Sequence, residues 1–364
     1  MIQRLCCLIV LASVALTTGC GSQHDTGPIT GASAARYVTA ESTTARSSTT
    51  TARTLSGPFS AAVTVGKNPT DVWVAPGGAK VYACNSLDGS ITAIDTGTNR
   101  GVATFHAGKD ARRIVGTPDG KTIYVTTNET NHPVHVIDTA TGKVRAKLVA
   151  GDPSRDTLPE ALAVDSKNGI LYVATEFGKP YVAKVEMSSN RVLERISIRW
   201  SASDIVVDAE RNLVFVSSGH SILVIDASTD AVTATLPMGA QTSRLAYDPG
   251  TLSLYVVIAS SKSIAVLDTT ANRVTATVTL PSQPYAIAVD PVTHHVFATA
   301  KGISGSTDRI GEIHVLDATT ATFAETLSAG NADVLGLSVD PSSHRLYVAA
   351  GEQNSIITFN RSSR

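Results

Sequence analysis

Cysteine is scarce in this chain: there are four, and Cys6, Cys7 and Cys20 fall within the first twenty residues. Only Cys84 lies beyond them, so no disulfide framework can form within the chain once the leader is removed and Cys20 is acylated. Charge is also sparse, at 17% of residues with a formal net of −1. Residues 56–364 carry 26 basic and 29 acidic side chains. That balance argues against nucleic acid as a partner, because binding it requires many phosphate-neutralising cations. The stretch 263–302 shows no helical spacing of its apolar residues. The apolar run Leu5–Leu16 spans twelve residues, where about 20 are needed to cross a bilayer. No G-x-S-x-G, P-loop or dinucleotide fingerprint occurs in the required strand-to-helix context. His132 and His135 form a short pair without metal spacing or an accompanying Cys/carboxylate cluster. The sequence therefore calls for no cofactor and no metal.

What is present is a repeat. Residues 263–302 hold four short β-type runs: Ser263–Leu267, Val274–Leu280, Tyr285–Val289 and His295–Ala300. Alternating Val, Ala, Thr and Leu at period two gives each run one buried face. Asp268 opens the first turn, where its carboxylate can accept from backbone N–H groups two residues on, and Asn272 suits a left-handed position. Connections this short allow only antiparallel pairing. The aromatic equivalent to Phe297 recurs as Tyr82, Tyr124, Tyr172, Phe215, Tyr255 and Tyr347, with spacings of 40 to 50 residues. The turn aspartate recurs as Asp95, Asp138, Asp226 and Asp317, with Glu186 and Asn360 in the other two copies. Seven such units predict an all-β, seven-bladed β-propeller of four-stranded antiparallel blades.

The last copy stops after its third strand, while Ser60–Pro69 aligns with the outer strand and turn at Thr275–Pro284. The N-terminal strand is therefore predicted to complete the last blade and close the ring. Before it, residues 1–20 read as a targeting segment with Arg4 ahead of the apolar run. Gly19-Cys20 resembles the cleavage site of a bacterial lipoprotein signal, which would make Cys20 the first mature, lipidated residue; an ordinary secretory signal is the alternative. Residues 21–56 are Ser/Thr-rich, 15 of 35 between 22 and 56, and cannot bury enough surface to offset ordering entropy, so a flexible linker is expected. The propeller occupies 57–364.

Tyr82-Ala-Cys-Asn85 and Tyr124-Val-Thr-Thr-Asn128, with Ile94-Asp95 and Ile137-Asp138 after them, resemble the YVTN-type β-propeller repeat family. The resemblance implies a seven-bladed, extracytoplasmic propeller. The Asn is offset in the second copy and absent from later ones, such as Tyr172-Val-Ala-Thr-Glu176. Similarity to lactonase propellers and to the propeller subunits of amine dehydrogenases is a matter of fold, and two tryptophans, Trp73 and Trp200, are too few for the blade-wise Trp pattern of quinone-cofactor propellers.

In a meander, alternate loops lie on opposite faces. The extra residues Asp152–Pro159 and Gly302–Gly311 both fall on the face that receives the start of each innermost strand, and one-sided elaboration of a repeat marks a binding face. Aligned there are Asp71, Arg113, Asp204 and Arg244; one residue earlier come Arg112, Glu160 and Tyr285; from the second-to-third-strand loops come Glu176, His220, Lys301 and Arg309. Mixed Arg and carboxylate can orient a small polar or anionic ligand, or the charges simply solvate the channel mouth and pair with one another. The first reading is an envelope-anchored binding scaffold, held to the membrane through its N-terminal lipid and engaging an envelope protein or small polar ligand. The alternative is a lactonase-like hydrolase or lyase using the channel-mouth Arg, Glu and His groups. His135 and His314, at one repeat position, read as half-exposed strand residues; His294-His295 reads as an exposed turn on the opposite face; Cys84 reads as a buried, inert thiol.

Overall fold

The structure, a computed structural model, describes residues 59–361 except 130, 151–156 and 301–310. Among the described residues there are seven four-stranded antiparallel sheets and no helix. The first sheet shows the logic. Strands β2 (Pro69–Val74), β3 (Lys80–Asn85), β4 (Ser90–Asp95) and β5 (Arg100–His106) follow one another in sequence and in space. Burial falls outward: β3 and β4 are almost wholly buried, whereas five successive residues of β5 are exposed. The central strands are buried because neighbouring blades cover both faces of each sheet, as a radial stack of sheets requires.

The recurring aromatics are what the stack is built on. Tyr82, Tyr124, Tyr172, Phe215, Tyr255, Phe297 and Tyr347 are each no more than 2% exposed. Fully burying a side chain of this size stabilises by about 1.5–3 kcal/mol, so these positions set the period. Turn chemistry fixes the strand ends. Asp268 Oδ1 accepts from the N–H groups of Thr270 and Ala271 at 2.8 and 3.0 Å, and Asp95, Asp138, Asp226 and Asp317 accept from the equivalent amides. Four residues after Asp268, Asn272 takes φ 50°, the left-handed conformation expected of it.

Ring closure follows the sequence alignment. β1 (Phe59–Thr64) pairs antiparallel with β28 (Ser355–Phe359), completing the sheet of β26 (Val334–Val339) and β27 (Leu346–Ala350). Alternation of strand direction places Phe59 and Phe359 at one face of the ring, and the starts of the inner strands at the other, here called the upper face. The inner strands of the last and first blades approach closely at Gly336, whose missing Cβ would lie 2.6 Å from the Thr70 carbonyl oxygen.

At the lower face the blades are clasped side to side. His294 Nδ1 lies 2.8 Å from Asp248 Oδ2, His344 Nδ1 lies 2.7 Å from Asp290 Oδ2, and Tyr247 Oη donates to Asp208 Oδ2 at 2.6 Å. His294 is thus half-buried in a blade seam, where the sequence suggested an exposed turn. The partner aspartate belongs to the preceding blade, 46 residues away, which local spacing does not reveal.

Candidate functional site

Six inner strands carry a register shift at their upper end: β2, β10 (Leu158–Asp165), β14 (Ala202–Asp208), β18 (Thr242–Asp248), β22 (Pro284–Asp290) and β26. A bulge of this kind opposes two residues to one and re-aims a side chain. Here it delivers consecutive residues, such as Glu160 and Ala161, to the channel mouth. Two cavities with shared lining residues result. The outer, about 360 Å³, is lined by Arg112, Arg113, Glu160, Arg244, Tyr285 and Asp110 together with small polar groups. The inner, about 160 Å³, adds Asp71 and Asp204 and shares Arg113 and Arg244.

The two deepest carboxylates are fixed by backbone. Asp71 accepts from Val72 N–H at 3.0 Å and from Ile114 N–H of the next blade at 3.2 Å. Asp204 does the same with Ile205 at 3.0 Å and Leu245 at 2.9 Å. Arg113 then reaches across the channel. Its Nη1 lies 4.0 Å from Asp71 Oδ2 and its Nη2 3.9 Å from Glu160 Oε1. Arg244 Nη1 lies 3.8 Å from the same Glu160 oxygen and donates to the Ser203 carbonyl at 3.0 Å. All three ion-pair separations exceed hydrogen-bond length. Buried Arg113 Nη2 has no hydrogen-bond acceptor among the described residues. Glu160 therefore sits between two guanidinium groups without touching either.

Burial dominates the ionisation of this cluster. It pushes Glu160 up to about 7, with Glu176 and Asp204 adding to the rise and Arg113 and Arg112 opposing it. Burial likewise lifts Asp204 to about 6 and raises Asp71, against the pull of Arg113 and the backbone amides. For Arg113 burial works against the charge, but Asp71, Asp204 and Glu160 more than offset it. Glu160 can thus gain or lose a proton near neutral pH beside two fixed cations, which suits binding of an anion and also general acid–base work.

The sequence-derived ring is only partly assembled by the fold. Asp71, Arg112, Arg113, Glu160, Asp204, Arg244 and Tyr285 line the two cavities. Glu176 lines neither, but its charge is felt by Glu160 and Arg112. His220 is exposed and lines neither cavity. Lys301, Arg309 and Cys20 lie outside the described residues, as do most of the two insertions; Leu158 and Pro159 open β10 itself. Asp110 was not singled out from sequence. It holds Arg112 by Nε and Nη2 at 3.0 and 2.8 Å, and its place two residues before the Arg pair in a turn was the available signal.

No family model matches this chain, and no curated protein does. The functional reading therefore rests on its own residues.

Two satellite clusters lie on the upper side, at the starts of β8 (Val134–Asp138) and β24 (Glu312–Asp317). His135 and His314 are 1% and 0% exposed, which corrects the half-exposed placement. His135 lies against Gly108 and Glu129, and His314 against Ser282, Thr326 and Phe323. His135 Nε2 faces Glu129 Oε2 at 3.2 Å, and Lys147 Nζ holds that oxygen at 2.6 Å. His314 Nε2 meets Ser282 Oγ at 2.7 Å, Ser282 Oγ donates to Glu312 Oε2 at 2.7 Å, and His314 Nδ1 meets Thr326 Oγ1 at 3.0 Å. The Ser282 proton goes to the carboxylate, so the imidazole does not act on it as a base. Cys84 is buried, and burial drives its thiol well above the ordinary range, so the thiolate is disfavoured.

Proposed function

We propose that this protein is a binding propeller whose upper channel mouth holds a small polar ligand. The observation that carries the reading is the guanidinium–carboxylate cluster of Arg113, Arg244 and Glu160, closely placed yet short of hydrogen-bond contact, around a cavity of about 360 Å³. A site built only for structure would close those gaps, because buried charges are costly unless fully hydrogen-bonded.

Thermal-shift screening of small carboxylates, amino acids and polyols tests the reading. Arg113→Met and Arg244→Met should each abolish the stabilisation that a hit gives the wild type. A hit whose shift survives both substitutions binds elsewhere, and the mouth loses its role.

The Gly19-Cys20 site and the Ser/Thr-rich linker support an extracytoplasmic, lipid-anchored placement in the cell envelope, and the YVTN-like repeats agree with it. The mouth opens on the face opposite Phe59, and the partner engaged there is a small polar ligand or an envelope protein. Cys20→Ala should move the expressed protein from the membrane fraction to the soluble fraction; retention in the membrane would remove the anchor. The lactonase-like alternative draws on Glu160, whose carboxyl titrates at about 7. Against it, Glu160 hydrogen-bonds no nucleophile and no second acid or base among the described residues. Lactone turnover lost in Glu160→Gln would favour it.

A further inference from the structure

We infer that the channel mouth takes a small organic carboxylate together with one proton, which comes to rest on Glu160. This deepens the binding reading above and depends on it. Arg113 Nη2 is buried without an acceptor among the described residues. Among the described residues Arg244 Nη1 has a single close acceptor, the Ser203 carbonyl. Between them lies one oxygen of Glu160, 3.9 Å from the first and 3.8 Å from the second. A ligand carboxylate brings two oxygens that can each accept from one guanidinium, the pairing guanidinium geometry favours. The outer cavity has room for the rest of a molecule somewhat larger than acetate.

Charge bookkeeping then requires the proton. Glu160 is faced by Arg113 and Arg112 from the second blade, Arg244 from the fifth, Asp204 from the fourth and Glu176 from its own. Asp71 and Asp204 already engage Arg113 from below. A further anion beside an ionised Glu160 would set like charges against each other in a partly buried site. Protonating Glu160 removes that repulsion and frees both guanidinium groups for the ligand. No bond other than O–H is made: ionised Glu160, one proton and the carboxylate give neutral Glu160 beside the bound carboxylate.

Burial pushes Glu160 up to about 7, and a bound anion raises it further. The complex therefore holds more protons than the free protein above neutrality. Affinity is constant below pH 7 and falls up to about tenfold per pH unit above it, until the raised value is reached.

Titration calorimetry of the full chain with lactate, at about pH 6, 7 and 8 and in buffers of differing ionisation heat, tests this. Wild type should lose about fivefold in affinity between the upper two values, with uptake approaching one proton per lactate at pH 8. Glu160→Gln should bind lactate equally at pH 7 and 8, above the value of about 6 for Asp204, with no proton taken up there. Lactate binding by wild type that is independent of pH, or that releases protons, overturns the proposal. So does preference for neutral lactamide; if that binding is lost in Arg113→Met, the mouth remains a binding site for another class of ligand. If no probe in the wider screen binds, both readings fall.

Discussion

Glu160→Gln should stabilise the protein by about 2 kcal/mol at pH 8 and by almost nothing at pH 4. The carboxyl has an ordinary value of 4.5 and is pushed up to about 7 by burial in the folded ring. Between those values the folded protein binds more protons than the unfolded chain. The contribution is therefore fully present below 4.5 and is lost as pH rises through 7. Glutamine cannot ionise and avoids that loss. Direct conversion of the shift would give roughly 3 kcal/mol; the side chain is 20% exposed, and screening by channel water reduces the figure. The turn aspartates act with the opposite sign in a lower window. Asp268 is held down to about 2, first by the Thr270 hydroxyl and then by backbone amides. Urea unfolding of both proteins at the two pH values separates these effects. A gain equal at both, or a loss at the higher, would sink the account. A stabilising substitution at the centre of the candidate site is what stability sacrificed to binding predicts.

Gly336→Ala should cost about 2–3 kcal/mol. The added Cβ would stand 2.6 Å from the Thr70 carbonyl oxygen and 2.8 Å from Asp71 Cα. Both are backbone atoms, so no side chain can rotate away. The inner strands of the last and first blades would have to separate at the seam where the ring closes. Asp71 would move with its strand, and Arg113 would lose one of its fixed neighbours, so ligand stabilisation should fall as well. Gly97→Ala is the matched control: its nearest atom is an Asp95 side-chain oxygen at 3.5 Å, and its φ is not positive. That change should stay within about 0.5 kcal/mol. Equal melting shifts for the two variants would contradict the close-approach argument.

The fold was legible because each blade repeats a local solution. Alternation at period two, the buried aromatic of the second strand and the Asp-opened turn each act within a few residues, and seven copies make the pattern audible above the noise of any one. The closing strand was legible for the same reason, since Ser60–Pro69 carries the repeat even though its partner is at the other end. The site was legible at the level of faces and strand starts. What escaped was chemistry assembled between blades. Glu160 looks like any surface glutamate in Thr157-Leu-Pro-Glu160; its environment comes from the second, fourth and fifth blades. His294 gave no sign of Asp248 behind it, and His135 and His314 gave no sign of Glu129 and Ser282 beside them. Bulges are equally silent, because the two residues they turn toward the mouth occupy an ordinary alternating strand.

Pairing of β1 with β28 also orders events in time. Val63 lies opposite Ile356, and Thr64 opposite Ser355, so the first strand of the ring finds its partner only after the strands of the last blade have been made. Throughout synthesis an outer strand waits unpaired while six sheets assemble beside it. Contacts this distant in sequence form slowly, and a waiting strand edge invites pairing with another chain. Ala61 and Ala62 in that strand keep it short-sided and weakly apolar. A newly made ring is thus most vulnerable not while its core forms but in the interval before its two ends meet.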